Sequence, residues 1–262
     1  MARPADTSGL AYVAALTKHI YGWTYANNGA DATNDIDIAA GGGMDATGAY
    51  WITGAALTKQ SDVAWAVGSA AGALDTGAVG NSDYYIWAIA RSDTGVTDYL
   101  FSLSSTAPTM PSGYDYKRLI GWFKRVGGTI VAFDTYETEG GGIELIWDAP
   151  TLDISLANTL TTSRRTDAVK VPLNFSVEAI LNVAAFDAAA TVFIWLYCPD
   201  QADLAPSQAG APLATITSIT SYRVLLPVRV RTSSAGLIAA RGNVATIDEY
   251  YVSTMGFLWA RR

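Results

Sequence analysis

The sequence is poor in the residues that do chemistry. Its 262 residues include one cysteine and one histidine. A lone Cys198 makes no internal disulfide, which excludes a cysteine-stapled scaffold and a thiolate metal cluster. A lone His19 leaves little for zinc ligation or for a Ser or Cys nucleophile that needs a histidine base. Charge is also scarce, at 16% of residues. With half the residues hydrophobic, the chain has ample side chain for a core and too little charge for disorder. Long apolar runs are missing as well. The longest, residues 188–198, is about half of the roughly 20 residues a spanning helix needs, so no membrane insertion is expected. The opening MARPADTSGLAYVAALTKHI has one arginine, an early aspartate and a seven-residue apolar run. It matches a secretory signal weakly, and a soluble product not exported by that route is expected.

Basic residues are fewer than acidic ones, giving a net charge of -7. Before Pro150 there are 8 basic against 16 acidic residues, and from Pro150 onward 9 against 8, so two regions with different surroundings are expected. An acidic chain lacks the field that phosphate backbones attract, which argues against nucleic acid as a partner.

What is present is a period of two. The run YYIWAIARS, the turn SDTG and the alternating DYLFSLSS read as a hairpin. A second hairpin joins KRLIGWFKRV to TIVAFDTYET through Gly127-Gly128, a pair free to take the positive φ values of tight turns. APTMPSGYD lies between them as a proline-marked loop. Farther on, LNFSVEAILNVAAF buries Phe175, Val177, Ala179, Leu181, Val183 and Ala185 on one face.

TVFIWLYC is apolar on both faces, with Phe193, Trp195 and Tyr197 alternating with Val192, Ile194 and Leu196. Such a strand is central in a sheet or lies under a subunit interface. SYRVLLPVRVR sets Tyr222, Val224, Leu226, Val228 and Val230 against a face carrying Arg223, Arg229 and Arg231, and Pro227 predicts a sheet edge. Those arginines either pair with the acidic half of a neighbouring subunit or form a solvated edge that blocks stray strand pairing. The last strand places Met255, Phe257 and Trp259 in alternation, with only Arg261 and Arg262 loose beyond it. Together these patterns predict an all-β protein, an antiparallel β-sandwich or jelly roll. A short helix over residues 10–23, capped by Thr7 or Ser8, is the exception. The expected divisions are an N-terminal segment (1–25), a β-rich module (26–150) and a C-terminal sandwich (151–262).

Groups suited to catalysis or metal binding are few. Asp31, Thr33, Asp35 and Asp37 space oxygens as a calcium loop does, but Ile36 and Gly42 stand where an EF-hand needs glycine and glutamate, so the segment reads as a polar turn entering a strand. Glu137 with Glu139, and Asp248 with Glu249, are paired acids of the kind glycosidases use, without a framing motif. Cys198 is expected as an inert buried thiol. The 8 tryptophans and 14 tyrosines are core in the main, with exposed rings available to stack on sugar faces or to anchor an interface.

Two segments resemble a module of tailed-bacteriophage and prophage virion proteins. They are ANNGADATNDIDIAAGGGMD (residues 26–45) and the stretch 56–123, most clearly in LDTGAVGNSDYYIWAI, the hairpin around SDTG, and MPSGYDYKRLIG from Met110. The resemblance implies a structural particle component without cofactor or catalysis: a tail-fibre or spike subunit, commonly a homotrimer, docking on other virion proteins and contacting a host-surface glycan or protein through its C-terminal loops. It implies location in the virion. Leu10, Tyr12, Val13 and Leu16 would then anchor the chain to the particle, and Phe193, Trp195, Tyr197, Arg223, Arg229 and Arg231 would line the subunit interface. The long shaft of many tail fibres is missing. The same resemblance therefore also fits a head fibre or a capsid or tail decoration protein, and a glycan depolymerase is the remaining alternative.

Overall fold

A computed structural model describes residues 19–207 and 213–261. Among them the chain forms twenty strands and one helical turn, the 3-10 turn Glu139–Gly141, as the period of two demands. The expected N-terminal helix fails where it can be seen, because Ile20–Gly22 is a strand. The rest of that segment, with the proposed anchors Leu10, Tyr12, Val13 and Leu16, lies outside the described residues.

The chain divides into two compact units, Met1–Ile143 with Ala260–Arg262, and Glu144–Trp259. The division falls at residue 143, ahead of the expected boundary between residues 150 and 151, which lies inside the long strand Gly142–Leu160.

The first unit holds β1 (Ile20–Gly22), β2 (Tyr25–Asn27), β3 (Asp35–Ile38), β4 (Gly41–Met44), β5 (Trp51–Gly54), β6 (Leu57–Ala64), β7 (Ala71–Leu74), β8 (Asp83–Ala90), β9 (Thr97–Ser102), β10 (Tyr116–Val126), β11 (Thr129–Ile130) and β12 (Phe133–Thr138). One sheet runs β11-β10-β8-β9-β7-β6-β3-β2 and another β1-β4-β5. The first hairpin forms as read, with Ala90 opposite Thr97 and Tyr85 opposite Ser102. Tyr84 to Ala90 are all buried, which fits a continuous apolar run covered on both faces. The second hairpin is shorter than expected. Its Gly127 and Gly128 do take φ of 63° and 85°, but only Arg125–Ile130 and Val126–Thr129 pair. Beyond them β12 leaves its hairpin partner, and the Thr135 hydroxyl hydrogen-bonds the backbone of Tyr25 in β2 instead.

A purely antiparallel arrangement also fails at one place, since β7 runs parallel to both β6 and β9. The connection from β6 to β7, residues 65–70, folds straight back along β6 and is held by Ala70 N–H donating to Thr58.

The turn between β4 and β5 is organised by Asp45, which accepts from Thr47 N and Oγ1 (2.9 and 2.6 Å), Ala49 N (2.7 Å) and Tyr50 N (2.9 Å). Burial alone would raise its carboxyl, but these donors outweigh burial and hold it below the usual carboxylate value. A carboxylate favoured by the fold stabilises fully above its unfolded value near pH 4, and that stabilisation fades as pH falls through the lower folded value. Asp45→Asn is expected to cost about 1–2 kcal/mol at neutral pH. It should also flatten the acid limb of a urea-midpoint series against pH.

The second unit holds β13 (Gly142–Leu160), β14 (Arg165–Ala168), β15 (Glu178–Phe186), β16 (Val192–Tyr197), β17 (Ile216–Ser218), β18 (Val224–Arg231), β19 (Leu237–Gly242) and β20 (Ile247–Trp259). Its sheets run β13-β20-β15-β18 and β14-β19-β16-β17, a sandwich whose core takes Ala179, Leu181, Val183 and Ala185 from β15 and Val192, Ile194 and Leu196 from β16. β16 is internal and β18 is an edge, where Pro227 costs no ladder bond to a further strand.

The phase of β20 departs from simple alternation. Ile180 faces Gly256 and Leu181 faces Thr254, so Met255 is an extra, bulged residue. Tyr250, Val252 and Thr254 are buried before the bulge and Phe257 and Trp259 after it, and Met255 is displaced from the core face. Arg261 is not loose: it is 2% exposed, inside the first unit.

Candidate functional site

The groups singled out for catalysis are absorbed by the fold. Asp31 caps its own turn by accepting from Thr33 N (3.0 Å) and Asn34 N (3.2 Å), while Asp37 accepts from Asn28 Nδ2 (2.8 Å) and Thr58 Oγ1 (2.6 Å). The segment is therefore a polar turn running into β3. Glu137 lies on β12 and accepts from Gly22 N (2.8 Å), whereas Glu139 opens the 3-10 turn, so the two do not share a strand face. Asp248 accepts from Ala188 N (2.8 Å) and Glu249 pairs with Arg223. Cys198 follows β16 half-buried, its thiol 3.6 Å from Asp200, so it is less enclosed than expected.

The expected interface residues separate onto two sheets. Phe193 and Trp195 are half-buried and Tyr197 is buried, with Trp195 and Tyr197 stacked at 3.9 Å. That ring face is covered by its own chain: the Tyr197 hydroxyl donates to Asp203 (2.9 Å), Arg241 holds the same carboxylate (2.9 Å), and the Arg164 guanidinium lies 5.4 Å from the Tyr197 ring. Burial, then the contact with Asp203, pushes the Tyr197 phenol up to about 12.

On the β18 edge, Arg223 pairs with Glu249, Arg229 lies 3.9 Å from Glu178, and Arg231 is exposed. What the edge displays besides charge is apolar. Tyr222 is 71% and Leu225 67% exposed, and Leu226, expected inside, is exposed too. Phase alone could not show this, because alternation tells which face a residue takes and not whether another layer covers that face.

A different place gathers groups that could recognise a ligand. Trp65, Val67, Arg91, Thr94, Val96, Ser112 and Tyr114 line an open pocket of about 380 Å³ within the first unit. Three stretches supply them: the β6–β7 connection, the SDTG turn with the flanking Arg91 and Val96, and PSGY.

Each wall is fixed. The Trp65 indole N–H donates to the Tyr99 carbonyl (3.1 Å), and the Trp65 ring meets Tyr114 edge-on at 5.2 Å. Arg91 makes two bonds to Asp93 (2.9 and 2.7 Å), which hold that carboxyl down to about 2 and raise the guanidinium above its usual value. Gly113, at φ 81°, leaves room for this guanidinium, since a Cβ there would stand 2.8 Å from its central carbon. The Tyr114 ring sits 6.0 Å from the guanidinium, its phenol raised by burial and by the Asp98 charge.

Behind the pocket lies an ion pair with both side chains at 0% exposure, Lys59 to Asp98 at 3.1 Å. Lys59 Nζ also donates to the carbonyls of Ala66 (2.8 Å) and Gly68 (3.1 Å), and Asp98 accepts from Gly68 N (2.8 Å). The buried pair thus pins the connection that carries Trp65 and Val67. Sequence reading found SDTG and PSGY as turns but did not bring them together. Their lengths and prolines gave the turn chemistry, whereas the strand order that makes them neighbours depends on long-range pairing.

His19, Tyr21 and Trp51 form a second ring cluster, with His19–Trp51 at 5.8 Å and Tyr21–Trp51 at 6.2 Å, all three exposed. His19 is a surface residue. Among the described residues no helix is long and apolar enough to cross a membrane.

No protein-family profile matches the chain, and no curated protein is significantly similar to it. Among solved structures it has slight likeness to an exo-β-1,3-galactanase from Phanerochaete chrysosporium, at 13% identity and TM-score 0.21 over 88% of this chain and 56% of that one. It has comparable likeness to a Bacillus thuringiensis Cry1Da tryptic core variant, at 10% identity and TM-score 0.19 over 91% of this chain and 52% of that one. The chain thus spans little more than half the length of the structures it is similar to.

Proposed function

We propose that this chain is a structural subunit of a tailed-phage virion or phage-like particle, a fibre or spike that docks through its N-terminal segment and grips a surface without transforming it. The observation that carries the reading is that SDTG and PSGY, two of the segments behind the virion-module resemblance, close around one braced pocket in a chain otherwise given over to β-scaffold. Rigid loops on a strand framework are how binding proteins present contact groups. Asp31, Asp37, Glu137, Asp248 and Glu249, acids singled out for chemistry, are taken up by turns, hydrogen bonds and an ion pair. The apolar edge at Tyr222 and Leu225 supports self-association, the trimer being the form that the resemblance implies, because an exposed edge of this kind is an incomplete interface. That same edge favours the second reading, a capsid or tail decoration protein stabilising the particle without a receptor.

The anchoring segment sets the test. Ile20 and Trp23 are buried in the first unit, so a deletion reaching Trp23 would damage the fold itself. Removal of residues 1–18 is expected to leave a folded oligomer by sedimentation that no longer joins particles. Incorporation at the normal level would overturn the anchoring role. Particles lacking the protein altogether separate the two readings: lost adsorption with sound shells supports the fibre, and fragile shells with normal adsorption support decoration.

A further inference from the structure

We infer that the pocket between Trp65, Arg91 and Tyr114 binds one neutral pyranose unit of a glycan. The inference deepens the adhesive reading and rests on it. A pyranose has an apolar C–H face and a rim of hydroxyls. The pocket has the complementary division, with aromatic and valine surface from Trp65, Tyr114 and Val67 and a polar side from Arg91, Thr94 and Ser112. Ring faces carry the negative end of a quadrupole and attract the weakly positive C–H bonds of a sugar.

Charge decides between a neutral and an acidic sugar. Arg91 is already matched by Asp93 through two short bonds. The polar side therefore offers donors and acceptors to hydroxyls with no net positive charge to draw in a uronate. Volume agrees, since about 380 Å³ lies at the small end of the range for ligand pockets, about 300–1,000 Å³.

Pre-organisation is the remaining argument. The guanidinium is fixed by Asp93 close to Gly113 and Tyr114, and Trp65 is tied to Tyr99 and carried on a connection pinned by Lys59 and Asp98. A site held this way loses little entropy on binding, which is what a shallow sugar site requires.

The test titrates the full-length chain, by saturation-transfer NMR, with the methyl glycosides of glucose, galactose, mannose and N-acetylglucosamine. Methyl glucuronide serves as the acidic probe and N-acetylprolinamide as an apolar peptide probe. Saturable binding of at least one neutral glycoside is expected, stronger than either control. Trp65→Ala should weaken it by about tenfold or more. Because Trp65→Ala also removes a structural hydrogen bond, Val67→Glu is the second variant. Val67 is 60% exposed, so the fold should stand while the glycoside is lost.

Absence of binding by every neutral glycoside, preference for the glucuronide or the prolinamide, or unchanged affinity in Val67→Glu would each overturn the inference. Failure here leaves the adhesive role standing if particles lacking the protein still lose adsorption. Sugar binding by a protein whose loss leaves adsorption intact would instead sink the adhesive role alone.

Discussion

Replacing Arg261 with leucine is expected to destabilise the first unit by about 3–5 kcal/mol, the range found when a buried charged group is removed and its partners are stranded. The guanidinium donates to four carbonyls: Gly141 at 2.8 Å from Nε, Trp23 at 3.1 Å and Ile120 at 3.3 Å from Nη1, and Gly22 at 2.7 Å from Nη2. Its own carbonyl accepts from Arg118 at 2.6 Å. One side chain thus satisfies backbone from β1, β10 and the 3-10 turn, the farthest of these acceptors 239 residues before it in sequence.

Burial lowers the guanidinium to about 10, so it remains a cation at neutral pH. Leucine fills similar space but leaves the carbonyls unpaired in a dry interior, at about 1–3 kcal/mol for each group left unsatisfied. Arg261→Lys should recover part of the loss, because an ammonium keeps the charge but cannot span four acceptors with a planar fork. Hydrogen exchange read on peptides containing Trp23, Ile120 and Gly141 localises the effect. Wild-type protection in Arg261→Leu would refute it.

The same residue shows where sequence legibility ends. Strand type and sidedness were readable wherever apolar residues alternate against polar ones, as in β15, and the β8–β9 hairpin followed from a turn flanked by two such runs. Cations turned inward were not readable. β10 buries Arg118 and Arg125 alongside Ile120 and Trp122. Arg125 is tolerated there because it reaches Ser61 Oγ (2.7 Å), Asn34 Oδ1 (2.9 Å) and the Gly128 carbonyl (2.6 Å). A charge acceptable only because partners far along the chain receive it has no local signature.

β6 illustrates the consequence, since LTKQSDVA places Lys59 and Ser61 inside and Val63 outside. Hydropathy therefore points the wrong way, and with that strand went the pocket it supports. The bulge at Met255 was invisible for a different reason: a one-residue phase slip leaves each half of β20 correctly patterned, and only the pairing with β15 reveals the extra residue. In β18, alternation was present in the sequence, but side chains near Leu225 and Leu226 find no second layer to pack against.

Lys59 and Asp98 yield the sharpest separation of stability from binding. Lys59→Met is expected to cost about 3–5 kcal/mol, because Asp98 is left as an uncompensated buried carboxylate. Burial already pulls the Lys59 ammonium below its usual value against the opposing attraction of Asp98, so the pair sits where desolvation is heavy. Removing both charges together, in Lys59→Met with Asp98→Leu, should recover most of that loss, since an apolar pair of similar volume avoids the desolvation cost of two ions.

Recovery in the double variant will not extend to the loop. The carbonyls of Ala66 and Gly68 lose their donor in either background, and in the double variant Gly68 N–H loses its acceptor as well. The connection carrying Trp65 and Val67 is thereby released toward solvent. Urea midpoints close to wild type in the double variant, combined with sugar affinity still reduced about tenfold and faster exchange at residues 65–70, would establish that the buried pair holds the binding loop in place. Full affinity in the double variant would show that the loop keeps its shape without the pair, and that the ion pair serves only the packing between β6 and β9.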